Sequence, residues 1–260
     1  MDTRFWGPSA WKLFHLIAYS ETGTNTFWDS IQYVLPCKYC RSSISGYYET
    51  NPIPKNAKDS CFWMYNIHNS VNQKLRGEGE TVAPDPPFDV VHTFYQQLYN
   101  QGCTKTIFYA WPFLFSVAYN HPYNCKSDPL IQPPYNVKNM TLEEKNKYNI
   151  MSPQERLEKL KQFWTLLPSV FPYKEWTVSW KKHAGPLSKA LQSRKSMLQW
   201  LWKIRKGMEH DLHILSNESF YGICKMVSSY SATSPKKSSS TQKCSKTCRK
   251  RQTRKNKVSV

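Results

Sequence analysis

The chain has 260 residues, of which 40% are hydrophobic and 15% are aromatic, including 10 tryptophans and 16 tyrosines. That length suits one large domain or two small ones. The longest apolar run, residues 108–119, is too short for a transmembrane helix, which needs roughly 20 residues. The N-terminus has no basic run followed by an apolar run, so we expect no secretory signal.

Positive charge is concentrated near the C-terminus. The formal net charge is +18, and residues 225–260 contain 11 Lys or Arg and no Asp or Glu. Because this segment is rich in Ser, Thr, Lys and Arg, it cannot bury enough apolar surface to offset its chain entropy. We therefore expect residues 225–260 to be a disordered basic tail. It could contact nucleic acid or an anionic membrane surface nonspecifically, or merely keep the chain soluble.

Helical periodicity dominates the first hundred residues, and strand-type alternation is nearly absent. In chain order the pattern predicts five helices, which begin near Pro8 or Ser9, near Phe27, at Cys37, near Asp59 or Ser60, and at Phe88. Their predicted ends are at Tyr19, before Pro36, near Thr50, at Gly77 or Gly79, and at Gln101. The sequence therefore predicts a small helical bundle over residues 1–101.

Cys37 and Cys40 form a C-x-x-C pair directly after Pro36. If Pro36 ends one helix and the cysteines open the next, Cys37 lies near a helix N-terminus, where amide hydrogens and the helix dipole favour a thiolate. Such a pair can close into a disulfide and reopen, so it can carry two electrons. A zinc site would need a second ligand pair, and the separation of Cys61 and His68 is not a usual ligand spacing. We expect no metal site, and inert thiols are the other alternative.

Polar residues occur on two of the predicted helical faces. His15 shares a face with Trp11, and His68 shares a face with Asn72. Polar groups on a buried face are costly unless they find partners, and an aromatic cofactor with polar edges would supply them. The alternatives are a core histidine with its own hydrogen bonds and a solvated helix face, and periodicity leaves them open.

The second half of the chain contains a weak echo of the first. Three segments repeat the order and aromatic pattern of earlier ones: 111–119 with 11–19, 163–176 with 27–40, and 200–206 with 63–69. We interpret residues 102–224 as a second helical domain and a degenerate copy of the first. The alternative is chance matching in a chain rich in Trp and Tyr. Either way, Tyr173 and Trp176 stand where the first half has its two cysteines, so this half lacks the redox pair.

Three motifs in a fixed order carry a resemblance to a known family. WGPSAWKLFHLIAY starts at Trp6, PCKYCR at Pro36 and HNSVNQKL at His68. Together they resemble the Erv/ALR family of FAD-linked sulfhydryl oxidases over residues 5–78. The resemblance implies an all-α fold, in which a four-helix bundle with a short fifth helix holds FAD at its mouth. It also implies oxidation of dithiols to disulfides, with electrons passed to oxygen to give hydrogen peroxide.

The resemblance further assigns roles to individual residues. Cys37 would exchange with substrate thiols, and Cys40 would lie against the flavin ring. The remaining FAD contacts would come from Trp6, Gly7, Trp11 and His15 on the first helix, and from His68, Asn69, Val71, Asn72, Lys74 and Leu75 on the fourth. The implied partners are thiol-containing protein substrates and molecular oxygen, and the resemblance implies a homodimer.

Two features depart from the family pattern. Many members carry a structural disulfide cysteine two residues after the tryptophan of the fourth helix, but Tyr65 holds this place here. Many members also pass electrons through a second cysteine pair on a flexible arm. Cys244 and Cys248 lie on the basic tail with three residues between them, so they are either a shuttle pair or two unrelated cysteines. The sequence leaves open how the other cysteines pair, namely Cys61, Cys103, Cys125 and Cys224.

The sequence therefore favours a flavin-dependent thiol oxidase whose second helical domain does no redox chemistry. A compact oxidase with an added domain and no signal peptide resembles versions encoded by large DNA viruses. That origin would place it in the host cytoplasm or the virion, and the mitochondrial intermembrane space is the alternative. The competing class is a basic helical protein that binds nucleic acid or builds the virion and keeps an inactive bundle.

Overall fold

The computed structural model describes residues 2–123 and 151–231, and every regular element in these ranges is helical. The all-α fold class is thus confirmed over the described residues. None of their helices is long and apolar enough to cross a membrane. The helices are α1 (Thr3–Tyr19), α2 (Asn25–Val34), α3 (Lys38–Thr50), α4 (Ser60–Gly77), α5 (Phe88–Asn100), α6 (Trp111–Tyr119), α7 (Pro153–Leu166), α8 (Lys174–His183), α9 (Leu187–Ala190), α10 (Arg194–Asp211) and α11 (Phe220–Ser231).

Helices α1 to α5 form the bundle that the sequence predicts for the first hundred residues. α1 packs against α4 and α5, and α3 packs against both α2 and α4. Phe27 and Trp28 of α2 are almost fully buried in its centre. Trp28 meets Trp63 of α4 edge to face, with ring centroids 5.4 Å apart, which ties the second helix to the fourth.

The predicted start of the first helix is wrong, because α1 begins at Thr3 rather than near Pro8. The Asp2 side chain caps the helix by accepting a hydrogen bond from the Arg4 backbone N–H at 2.9 Å. Pro8 therefore lies inside α1, where its missing N–H leaves the carbonyl of Arg4 without a helical donor. The helix still extends upstream because the Trp6 side chain is buried in the core, which outweighs the local effect of the proline.

The other boundaries of the bundle lie close to the predicted ones. Cys37 immediately precedes α3, as the C-x-x-C pattern predicts. α4 begins at Ser60, although Asp59 in front of it makes no side-chain capping bond. α5 ends at Asn100, one residue before the predicted Gln101.

Helices α6, α7, α8 and α10 follow the order of α1 to α4. Cys37 and Tyr173 occupy the same position before α3 and α8, with nearly equal backbone angles of φ −118°, ψ 129° and φ −122°, ψ 134°. α4 and α10 each contain 18 residues. These correspondences support the hypothesis that residues 102–224 are a degenerate copy of the first bundle. The boundary between residues 101 and 102 stays a prediction.

The two halves of the chain pack through matching helices. α1 packs against α6, and α2 packs against α7. Phe27 and Phe163 hold matching positions in α2 and α7, are fully buried, and stack with ring centroids 6.1 Å apart. Ser9 Oγ accepts a hydrogen bond from the Phe113 backbone N–H at 2.8 Å. Contact between matching residues is typical of an approximate twofold axis, and one hydrophobic core runs through both halves.

The predicted start of the basic tail is wrong, because α11 continues through Lys225 to Ser231. Ile223 and Val227 of this helix are buried, and α11 packs against α6. The apolar positions recur at helical spacing, but the surrounding Ser and Lys residues dominate the composition and conceal them. The rest of the predicted tail lies outside the described residues.

Candidate functional site

The cysteine pair lies in the first turn of α3. Cys37 is the N-cap residue, and its Sγ accepts a hydrogen bond from the Cys40 backbone N–H at 3.3 Å. Both side chains are half-buried. Arg41 anchors the turn from the other side, because its Nη1 donates a hydrogen bond to the Leu35 carbonyl at 2.7 Å. The pair is therefore held at a helix N-terminus by both backbone and side-chain contacts.

The two thiols differ in acidity. Hydrogen bonds from the Cys40 thiol and from backbone N–H groups of the first turn lower the pKa of Cys37. The same thiol–thiol hydrogen bond, together with burial, raises the pKa of Cys40. Lys74 and Arg41 oppose this rise, since their positive charges favour the Cys40 thiolate. Cys37 is therefore the first of the two to ionise, which is the behaviour of a thiol that exchanges with partners from solution.

A cavity of about 490 Å³ opens beside Cys40, bounded by α1, α3, α4 and α5. Small-molecule sites usually have volumes of roughly 300 to 1,000 Å³, so the cavity is large enough for a ligand. It brings together Cys40 and most of the residues that the sequence assigns to a cofactor site, namely Trp6, Gly7, Trp11, His68, Val71, Asn72, Lys74 and Leu75. The three sequence motifs thus meet at one place.

Two residues assigned to the same site, His15 and Asn69, do not line the cavity. Asn69 is half-buried elsewhere on α4. His15 is 1% exposed and lies behind His68, with its Nε2 3.1 Å from the His68 Nδ1. Trp11 stacks on the His68 ring at a centroid distance of 4.0 Å. His15 and Trp11 together fix the orientation of His68 on the cavity wall.

Both histidines are neutral at pH 7. Burial lowers the pKa of His15 to about 3, with a smaller contribution from His68, and burial lowers the pKa of His68 to about 4. In a hydrogen bond between two neutral imidazoles, one nitrogen donates and the other accepts. The wall of the cavity therefore presents an uncharged His68 imidazole, which a hydrogen bond to the buried His15 holds in place.

Some wall residues are missing from the sequence-based assignment. Ile44 and Tyr47 of α3 line the cavity, and both follow Cys40 at helical spacing, so periodicity could have identified them. Tyr95 of α5 also lines it and stacks on His15 at a centroid distance of 4.3 Å. No motif marks Tyr95, because its contact depends on how α5 returns across the bundle.

Asp85 ties the loop between α4 and α5 to the cavity. Its Oδ1 accepts a hydrogen bond from Asn72 Nδ2 at 2.7 Å, and its carboxylate pairs with Arg76. Tyr65 adds a second tie, since its hydroxyl donates to the Pro86 carbonyl at 2.9 Å. Tyr65 stands where the family pattern has a disulfide cysteine, so a hydrogen bond holds the loop here.

The cavity fits the chemical make-up of FAD, which joins flat rings to two phosphates. Trp11, His68 and Tyr95 supply aromatic surfaces, and Arg4 and Lys74 are cations suited to phosphate oxygens. The Nε1 of Trp6, a buried wall residue, has no hydrogen-bond partner among the described residues. Buried donors usually have partners, so a polar group of a bound ligand would satisfy this one.

The matching region of the second half is filled by aromatic side chains. Trp176 holds the position of Cys40, Trp180 holds that of Ile44, and each is 1% exposed. Phe108 packs on Trp176 with ring centroids 4.8 Å apart. The cavity beside α6 and α10, which α11 covers, measures about 130 Å³ against about 490 Å³ in the first half. At the place that matches the first cavity, the second half therefore has neither a cysteine pair nor comparable space.

The other described cysteines lie away from the cavity. Cys61, Cys103 and Cys224 form no disulfide within the described ranges. Cys61 Sγ donates a hydrogen bond to the Ala18 carbonyl at 3.4 Å. Across residues 2–123 and 151–231, His, Cys, Asp and Glu form no cluster of three suited to a metal ion. The remaining cysteines, and with them the predicted shuttle pair, lie outside the described residues: Cys125, Cys244 and Cys248.

A comparison with protein families points to the same segment. The family model described as the Erv1 / Alr family matches residues 8–85. This range contains the cysteine pair, the hydrogen-bonded histidines and most of the cavity wall. No curated protein and no solved structure matches the chain. Over residues 8–85 the chain is therefore similar to the Erv1 / Alr family, a likeness that favours sulfhydryl-oxidase chemistry.

Proposed function

We propose that the chain is an FAD-dependent thiol oxidase that forms disulfide bonds in protein substrates and reduces oxygen to hydrogen peroxide. The observation that carries the proposal is the position of Cys40 on the wall of the aromatic cavity, with Cys37 at the N-cap of the same helix. This arrangement supports a role for Cys40 beside a bound ring and a role for Cys37 in exchange with substrates.

Cys37 is the sulfur that a substrate thiolate attacks when the pair is oxidised. The attack forms a mixed disulfide with Cys37 and breaks the Cys37–Cys40 bond, so that Cys40 leaves as a thiolate. A second substrate thiolate then attacks the substrate sulfur of the mixed disulfide and releases Cys37. The lowered pKa of Cys37 favours this last step, because a more acidic thiol is the better leaving group.

The reduced pair then holds the two electrons taken from the substrate. Lys74 and Arg41 favour the Cys40 thiolate at the cavity wall. FAD, when bound, would accept these electrons and pass them to oxygen. Trp11 and His68 would give a bound ring a rigid, uncharged surface, since their mutual stacking and the hydrogen bond from His68 to His15 already fix their orientation.

Oxygen consumption with dithiothreitol tests the proposal. The purified protein should consume oxygen and produce an equal amount of hydrogen peroxide, whereas Cys40→Ala should abolish turnover. Cys61→Ala is the matched control, because Cys61 belongs to the same bundle but not to the cavity wall, and it should retain full activity.

The competing function gives a different result in the same preparation. A colourless protein that consumes no oxygen and binds DNA at low salt would favour a basic nucleic-acid-binding protein with an inactive bundle. Equal loss of turnover in Cys40→Ala and Cys61→Ala would also contradict the proposed role of Cys40.

A further inference from the structure

The first turn of α1 forms one end of the cavity wall. Thr3, Arg4, Trp6 and Gly7 all line the cavity. The helix itself holds the backbone of this turn with few hydrogen bonds, because the first N–H groups of a helix have no intrahelical acceptors. The Asp2 cap satisfies one of them, the Arg4 N–H. Pro8 removes a further hydrogen bond, the one to the Arg4 carbonyl. This part of the wall therefore needs support from elsewhere in the fold.

The last turn of α11 supplies that support. The rings of Tyr230 and Phe5 stack with centroids 4.5 Å apart and an interplanar angle of 9°. The Asp2 backbone N–H donates a hydrogen bond to the Tyr230 carbonyl at 2.9 Å. α11 is itself fixed on α6 through buried Ile223 and Val227. α11 therefore holds the start of α1, which forms part of the cavity wall.

We propose that Tyr230 is a positioning residue for flavin binding, which clamps the first turn of α1 through its stack on Phe5. The inference rests on the proposed FAD site and deepens it, because it makes part of that site's wall depend on a helix of the second half. Tyr230 does not itself line the cavity.

The clamp lowers the free energy that FAD binding must spend on ordering the first turn of α1. When the stack is removed, the first turn frays in the apoprotein, and FAD must order it again on binding. The apparent Kd is then the intrinsic Kd divided by the fraction of molecules in which the turn is formed. Given the strength of stacked aromatic pairs, Tyr230→Ala should raise the Kd for FAD about 3- to 10-fold.

Three variants test the clamp in the full-length chain by FAD titration, followed through flavin fluorescence. Tyr230→Ala should weaken binding, and Tyr230→Phe should not, because it keeps the ring. Tyr221→Ala is the matched control, since Tyr221 is 58% exposed on the same helix and makes no described stack with α1. Hydrogen exchange of residues 3–9 in the apoprotein should be faster in Tyr230→Ala alone.

A double-mutant cycle separates the clamp from a general loss of stability. Phe5→Ala should weaken FAD binding like Tyr230→Ala, and the double variant should bind no more weakly than either single variant. Unchanged FAD affinity in Tyr230→Ala would overturn the inference, whether or not hydrogen exchange becomes faster. If the wild-type chain binds no FAD at all, the proposed function fails, while the exchange measurement still decides whether the clamp exists.

Discussion

Cys37 and Cys40 have different surroundings although they share one helical turn. Cys37 precedes α3, and its sulfur accepts a hydrogen bond from the Cys40 backbone N–H. Cys40 lies on the cavity wall. Hydrogen bonding lowers the pKa of Cys37, and the same interaction with burial raises the pKa of Cys40. The surroundings at the start of one helix therefore give two identical side chains different acidities.

This asymmetry predicts the pH dependence of thiol alkylation in the reduced protein. Because the thiolate is the reactive form, Cys37 should be alkylated by iodoacetamide at a lower pH than Cys61, whose pKa burial raises to about 11. Peptide mass spectrometry across a pH series measures both sites in one sample. Identical pH profiles for Cys37 and Cys61 would contradict the assignment.

The buried histidines predict acid sensitivity. The pKa values of His15 and His68 are lowered to about 3 and about 4, below their unfolded values of about 6.5. The unfolded chain therefore binds more protons as the pH falls from 6.5 to 4, and the free energy of unfolding decreases. Each histidine should contribute a loss of about 1.4 kcal/mol per pH unit in this window.

Denaturant unfolding of the apoprotein at pH 7, 6, 5 and 4 measures this loss. His15→Phe should make the free energy of unfolding less dependent on pH, because it removes one of the buried imidazoles. Phenylalanine is the chosen replacement because Phe115 holds the matching place in the second half. A free energy of unfolding that is constant between pH 6.5 and pH 4 would refute the buried, neutral pair.

At the scale of helices, α5 and α11 explain why one half keeps a cavity and the other does not. Each follows the helix that matches the fourth of the bundle, α5 after α4 and α11 after α10. α11 buries Ile223 and Val227 against α6, whereas α5 has no buried residue. Together with Trp176 and Trp180, α11 fills the region beside α6. The matching region beside α1 stays open.

The filled second half predicts one flavin per chain. Denaturing the purified protein and comparing the absorbance of the released FAD with the protein concentration should give a ratio of about one. The reason is steric, because Trp176 and Trp180 are buried where a second ring would have to lie. A ratio near two would show that the second half binds flavin after all.

Much of the first bundle could be predicted from its sequence, since apolar residues recur at helical spacing and Pro36 separates α2 from α3. Local signals failed where packing overrides them. Burial of Trp6 lets α1 begin upstream of Pro8. Burial of Ile223 and Val227 keeps residues of polar composition helical as far as Ser231. The motifs also named most of the cavity wall. Tyr95 was missed because only the tertiary fold brings α5 back to His15.

At the scale of the whole molecule, the second half covers the α1 and α2 face of the first. Matching helices meet, and one hydrophobic core spans both halves. In addition to the proposed clamp, the second half therefore packs against α1, which forms part of the cavity wall. The homodimer, the viral origin and the compartment inferred from the resemblance stay predictions.

The shared core predicts a single cooperative unfolding transition by calorimetry. Phe163→Ala should lower the free energy of unfolding by about 3 to 5 kcal/mol, because it opens a cavity against the buried ring of Phe27. Leu215→Ala is the control, since Leu215 is 99% exposed and should change stability by less than about 0.5 kcal/mol. Two separate transitions would mean that the halves fold independently.

The central claim is that Cys40 passes substrate electrons to a flavin bound in the adjacent cavity. The most direct test is the visible absorbance spectrum of the purified protein during anaerobic addition of dithiothreitol. We expect a yellow protein whose flavin bands bleach with the dithiol and return when oxygen is admitted, while Cys40→Ala keeps its flavin and does not bleach. A wild-type protein without flavin absorbance, or equally fast bleaching in Cys40→Ala, would contradict the claim.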